Sequence, residues 1–188
     1  MHTKVVKFGG TSLADAGQFK KVADIILSDK SRRFVVPSAP GKRYSDDIKV
    51  TDMLYACYEK ASKGEDFSAA FDAIKERYMS IINELGLDIS LEDEFAKIKQ
   101  GFIGKAGRDY AASRGEYLSG IVLSKLLGFN FVDPANYIFF NEQGIFDMEK
   151  TNQALGEKLA KLPNAVIPGF YGSMPNDTIR PFQGAARI

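Results

Sequence analysis

Six consecutive residues near the N-terminus, Lys7-Phe8-Gly9-Gly10-Thr11-Ser12, bring together the groups needed to hold an anion. Two glycines directly after a strand let the backbone turn tightly and bring its N–H groups up to a ligand with no Cβ in the way. Thr11 and Ser12 add hydroxyl donors, and the helix that follows offers its N-terminus to negative charge. Lys7 stands at the strand end, where its ammonium reaches the same anion. A charge-assisted hydrogen bond of that kind contributes about 1.5–3 kcal/mol. Lys7, Gly9, Gly10 and Ser12 are therefore expected to form a phosphate cradle. The order of residues fits neither familiar phosphate loop: the Walker pattern places its lysine after the glycines, and the dinucleotide pattern needs three spaced glycines. On these residues alone, a plain turn capped by Ser12 is the more ordinary reading.

Other candidates lie further along. Glu116 is expected to start a helix, where a carboxylate favours the positive end of the dipole. Thr51 offers a hydroxyl to a carboxylate, or with Asp52 caps a helix beginning near Met53. Ser38 is a strand-end hydroxyl. Arg108, Asp109 and Arg114 read as a surface ion-pair cluster. No metal site is expected, since one cysteine (Cys57) and one histidine (His2) put structural zinc out of reach. The lone cysteine also excludes an internal disulfide and points to a reducing compartment.

The elements that must position these residues follow from apolar spacing. Val5, Val6 and Phe8 read as a short, mostly buried strand. Asp15 caps a helix with Phe19, Val22, Ile25 and Ile26 on its apolar face. Phe34-Val35-Val36 forms a second strand closed by Pro37, completing a βαβ unit with a parallel pair. Gly41 to Asp47 is a polar loop. Leu54–Ala61, Phe67–Leu85 and Leu91–Ile103 read as helices of an insertion or lid spanning about 50–104, with Gly64, Gly86 and Gly101 at or near their ends. Tyr117 to Leu127 is helical, stopped by Gly128. Phe129–Val132 and Tyr137–Phe140 read as strands, Thr151–Leu162 as a helix and Ala165–Ile167 as a strand. Alternating strands and helices predict an α/β fold: three αβα layers with a mainly parallel central sheet.

At 188 residues the chain can bury a real core, and one domain over 1–188 is expected. With 26% charged residues, well mixed, and a net charge of +1, no nucleic-acid surface is expected. No apolar run approaches the roughly 18 residues of a membrane helix. The N-terminus enters a strand pattern at once, so no signal peptide is expected. These features read as cytoplasmic.

Lys7 through Ser12 resembles the Lys-Phe-Gly-Gly-Thr-Ser signature that opens aspartokinases, in the amino-acid kinase superfamily. Further pieces follow in the same order: Val35-Val36-Pro37-Ser38-Ala39, Lys49-Val50-Thr51-Asp52, Arg114-Gly115-Glu116 and Phe170-Tyr171-Gly172. The resemblance implies an N-terminal lobe of that fold and the reaction of ATP with L-aspartate to give 4-phospho-L-aspartate and ADP. It implies that Lys7 stabilises the transferred phosphoryl, that Gly9, Gly10 and Ser12 cradle phosphates, and that Thr51, Glu116 and Ser38 contact aspartate. Glu116 would hold the substrate ammonium, and Mg2+ would accompany the nucleotide. Another carboxylate or carbamate kinase of the superfamily, or a non-catalytic binding module, are the alternatives.

Two departures stand out. Pro37 replaces an ordinary strand residue, so its strand should end there or lie at an edge. The C-terminus reads Phe182-Gln183-Gly184-Ala185-Ala186-Arg187-Ile188, where the resemblance implies a Phe-Ser-Arg-Gly-Gly-Ser-Asp-Ile-like segment leading to a nucleotide-binding lobe and regulatory domains. The bases GGC GGC TCG GAT ATC encode Gly-Gly-Ser-Asp-Ile, and one base later they encode Ala-Ala-Arg-Ile. A frameshifted, truncated chain with little kinase activity alone is therefore expected, its bared face favouring a homo-oligomer.

Overall fold

The computed structural model describes residues 2–182, so the expected frameshift at 184–188 lies outside the described residues. The first strand, β1 (Lys4–Phe8), leads through a 3-10 turn (Gly10–Leu13) into α1 (Ala16–Leu27) and then β2 (Arg32–Pro37). Asp15 caps α1 as expected, its carboxylate accepting the Gln18 N–H at 2.9 Å. Three helices follow, α2 (Val50–Ser62), α3 (Ser68–Leu85) and α4 (Glu92–Ile103), and then the long α5 (Arg108–Leu127). The chain continues through β3 (Asn130–Phe131), α6 (Met148–Ala160), β4 (Ala165–Val166), β5 (Tyr171–Ser173) and β6 (Ile179–Pro181).

Four strands form one parallel sheet in the order β1-β2-β4-β3, and β5 and β6 form a separate antiparallel pair. Alternation along β2 and β4 assigns their side chains to two cores. Val35 and Val166 face the core that contains Phe19, Ile26, Leu118 and Val122 of α1 and α5. Phe34 and Ala165 face the opposite side, against Leu155 and Leu159 of α6. The result is helix, sheet, helix in three layers, as predicted. Because β1 is an edge strand, Val5 is 67% exposed and the strand is not mostly buried. Ile25 likewise faces outward at 48% exposure rather than joining the α1 core face. Pro37 is the last residue of a central strand, where its missing N–H falls at the ladder's end; its carbonyl still accepts from Gly169 N–H at 3.1 Å.

Helices α2, α3 and α4 share the larger core with α1 and α5. Edge-to-face contacts among Phe67, Phe71, Phe95, Phe102 and Tyr110 join α3, α4 and α5. Gly64, Gly86 and Gly128 are left-handed at or just beyond helix ends. Gly101 is not a terminator: α4 runs through it, and the position takes glycine because the Tyr110 ring lies where a side chain would be, 2.5 Å from an added Cβ. Helix α5 begins at Arg108, well before Tyr117, after Gly107 at φ 105°. Its first half, rich in small residues, is buried without an apolar stripe, so no helical period marks it. Tyr137–Phe140 is not a strand. A 3-10 turn capped by Asp133 occupies Pro134–Asn136, and only isolated bridges follow, Phe139 with Ser173 and Phe140 with Phe146.

Candidate functional site

The strands β1, β2 and β4 end at one edge of the sheet, and beyond their C-terminal ends lies a cavity of about 670 Å³. Crevices at that end of a parallel sheet are where α/β proteins place ligands. Lys7, Gly9, Gly10, Ser38, Thr51 and Glu116 all line it, from segments spread over more than half the chain. Ser12 does not; its N–H is donated to Gly9 O at 3.0 Å, closing the 3-10 turn.

The first wall is the glycine turn. Among the described residues, the N–H groups of Gly10 and Thr11 have no protein acceptor, as expected for the opening residues of a helical turn. Gly10 packs directly on Gly41 of the loop after β2, whose N–H is donated to Gly10 O at 2.8 Å. A Cβ on Gly41 would lie 2.6 Å from Gly10 C and 2.8 Å from its oxygen, so only glycine permits this approach. Lys7 is exposed at the rim and makes no ion pair among the described residues.

The opposite wall is the middle of α5. Glu116 lies more than two turns inside the helix rather than at its start, so the helix dipole does not stabilise its charge. It is 8% exposed, and its Oε2 is buried with no hydrogen-bond partner. Burial raises its pKa from the usual 4.5 to about 7, against smaller opposing contributions from its own N–H, the Ala39 N–H and Arg114. The preceding residue must be small: a Cβ on Gly115 would meet the Ala39 Cβ at 2.6 Å. The buried Tyr78 hydroxyl donates to Gly115 O at 2.7 Å and fixes this part of α5 against α3. Such a carboxylate is matched by a cationic ligand group.

Thr51 sits in the first turn of α2, whose N-cap is Lys49, so Thr51 is not the capping residue. Ser38 follows β2 and donates its N–H to Phe8 O at 3.0 Å. Arg114 departs most from expectation. It is 7% exposed, not a surface ion-pair member, and stacks against Tyr110, Tyr117 and Tyr171 at 4.6, 4.5 and 5.2 Å from their ring centres. Tyr117 and Tyr171 in turn donate their hydroxyls to Glu94 and Asp133.

Several lining or supporting residues escaped sequence reasoning. Lys42 and Lys49 add two cations to the cavity wall. Phe170, also lining it, has φ 83°, a conformation that strains a non-glycine residue by about 1–3 kcal/mol and gathers at functional sites. Buried Arg77 and Asp47 tie the loops together from behind. A signal existed for Arg77 alone: it falls between Ile74 and Tyr78 on the apolar face of α3.

A family model described as the amino acid kinase family matches residues 2–181. Aspartokinase 3 of Bacillus subtilis is 34% identical over 184 residues, covering 90% of this chain and 40% of that protein. The structure of Clostridium acetobutylicum aspartate kinase superposes with a TM-score of 0.94 at 45% identity, covering 97% of this chain and 42% of that one. Escherichia coli aspartokinase III shares the fold, at a TM-score of 0.76 and 24% identity. The chain thus spans about two fifths of the length of these relatives. Match and fold agree: the chain belongs to the amino acid kinase family.

Proposed function

We propose that this chain is the substrate-binding part of an aspartate kinase, which transfers the γ-phosphoryl of ATP to the side-chain carboxylate of L-aspartate. A carboxylate oxygen attacks the γ-phosphorus, the bond to the β–γ bridging oxygen breaks, and ADP leaves with that oxygen's charge. The observation that carries the reading is the buried, unpartnered Oε2 of Glu116, a residue of a cavity wall whose other charged side chains are Lys7, Lys42 and Lys49. It supports an ammonium-bearing substrate whose anionic groups are met by cations. Glu116 holds the α-ammonium, and Thr51 and Ser38 contact the carboxylates. Lys7 neutralises charge developing on the transferred phosphoryl, where positioning and electrostatics do most of the catalysis. The open amides of Gly10 and Thr11, next to Gly9, receive phosphate oxygens. With its amide spent inside the turn, Ser12 supports the cradle rather than lining it.

Mg2+ would accompany the nucleotide phosphates and offset their charge. Buried Cys57, in no disulfide, fits a cytoplasmic enzyme. Among the described residues, no helix is long and apolar enough to cross a membrane.

Calorimetric titration tests the reading. L-Aspartate should bind, and succinate, which has the same two carboxylates without the ammonium, should bind at least about tenfold more weakly, the scale of one charge-assisted contact. Equal binding of the two, or no binding of aspartate, would overturn it. Preference for glutamate or carbamate would move the assignment to another carboxylate kinase.

A further inference from the structure

We infer that Arg77 is a positioning residue for the phosphate-facing wall of the cavity, acting through the backbone of both glycine loops and through Asp47. This rests on the reading of that wall as a phosphate site. Arg77 comes from α3, outside the cavity lining, and is 5% exposed. Its Nη1 donates to Asp47 Oδ2 at 2.9 Å, and its Nη2 donates to Ala14 O at 2.9 Å and to Gly41 O at 2.7 Å. One guanidinium thus holds three segments: the end of the glycine turn, the loop carrying Gly41, and the Asp47 end of that loop. Asp47 is gripped again by Arg43, which donates its own N–H, Nε and Nη2 to the carboxylate.

The loops held this way are the ones that meet at Gly10 and Gly41. Gly41 N–H is donated to Gly10 O while Gly41 O accepts from Arg77, so both sides of the Gly41 backbone are fixed. The two open amides, on Gly10 and Thr11, therefore keep their direction when no ligand is bound, which is what a preorganised anion site needs. Stability alone does not explain the group. A buried ion pair is often replaceable by apolar side chains without loss, and Arg77 Nε is left without a partner. The planar fork matters, because a lysine ammonium cannot reach three acceptors in these directions. Of the aspartate-facing residues, Thr51 and Glu116 stand on α2 and α5, and Ser38 directly follows β2 with its N–H held by Phe8 O, so none is a partner of the clamp.

The test compares the whole chain with Arg77→Lys and, should that variant fold poorly, Asp47→Asn. Pyrophosphate and L-aspartate affinities are measured separately, and amide exchange is followed at Gly41 with Val122 in the α5 core as reference. In a variant with wild-type far-UV circular dichroism, exchange at Gly41 should speed up and pyrophosphate binding should fall, each by about tenfold, the scale of one lost charge-assisted hydrogen bond. Aspartate affinity and Val122 exchange should stay within about twofold. Faster Gly41 exchange with unchanged pyrophosphate affinity would show a merely structural residue and overturn the inference, as would equal losses of both ligands. If the wild-type chain binds aspartate but no pyrophosphate, the phosphate reading fails and this inference with it. If both wild-type affinities are present and only the variant result fails, the site reading stands and Arg77's role does not.

Discussion

Replacing Glu116 by Gln removes one charge and little volume, and the structure predicts opposite effects on stability and binding. In the free protein, burial holds the carboxyl at a pKa of about 7, above its usual 4.5. A carboxyl raised in this way binds more protons folded than unfolded between those two values. Its contribution is therefore most favourable below about pH 4.5, declines as pH rises through 7, and is flat above. The gap corresponds to about 3 kcal/mol, at about 1.4 kcal/mol per pH unit. Glu116→Gln should thus be more stable than the parent at pH 8, by up to about 3 kcal/mol, and the difference should shrink toward pH 5. Binding should run the other way. Loss of the charge-assisted contact to an ammonium should weaken L-aspartate roughly 10- to 150-fold at pH 8. In the parent, affinity should rise about tenfold per pH unit below 7 and level off above it, since the ligand selects the ionised form. The variant should show no such slope. Urea unfolding at several pH values and calorimetry in the same buffers measure both. A variant that is less stable at pH 8, or that keeps parental aspartate affinity, would refute the reasoning.

Three further outcomes are expected. Lys7→Met, at an exposed strand end, should leave the melting temperature nearly unchanged and weaken pyrophosphate by about 1.5–3 kcal/mol in calorimetry. Gly41→Ala should destabilise the chain by about 1–3 kcal/mol in urea, because its Cβ would meet the Gly10 backbone, and should weaken pyrophosphate more than aspartate. Tyr78→Phe removes the hydroxyl hydrogen bond to Gly115 O and should cost about 1 kcal/mol by chemical denaturation, loosening α5 against α3 beside Glu116.

How much of this was legible in the sequence varied with the kind of signal. The βαβ start was plain because Asp15, the apolar face of α1 and the Phe34-Val35-Val36 run are local features. The edge position of β1 is not, since strand order is set by pairings far apart in the chain, and that position leaves Val5 exposed. Helix α5 was cut short because its first half, packed on all sides, carries small residues and a caged arginine instead of an apolar stripe. That error placed Glu116 at a helix start when it is buried mid-helix, and it hid the source of its raised pKa. Six of the seven residues selected for the site share one cavity because each stands where an element ends or packs closely against a loop. The Arg77–Asp47 clamp shows in the sequence only as a charged residue on the apolar face of α3; its partners are largely backbone carbonyls, which no residue type advertises.

The most direct test of the central claim is a crystal structure of the chain with L-aspartate. The account predicts the ammonium nitrogen about 2.7–2.9 Å from Glu116 Oε2, the usual range for a charged pair. It also predicts the side-chain carboxylate turned toward Lys7 and the amides of Gly10 and Thr11. Aspartate bound outside this cavity, or seated with its ammonium away from Glu116, would contradict it.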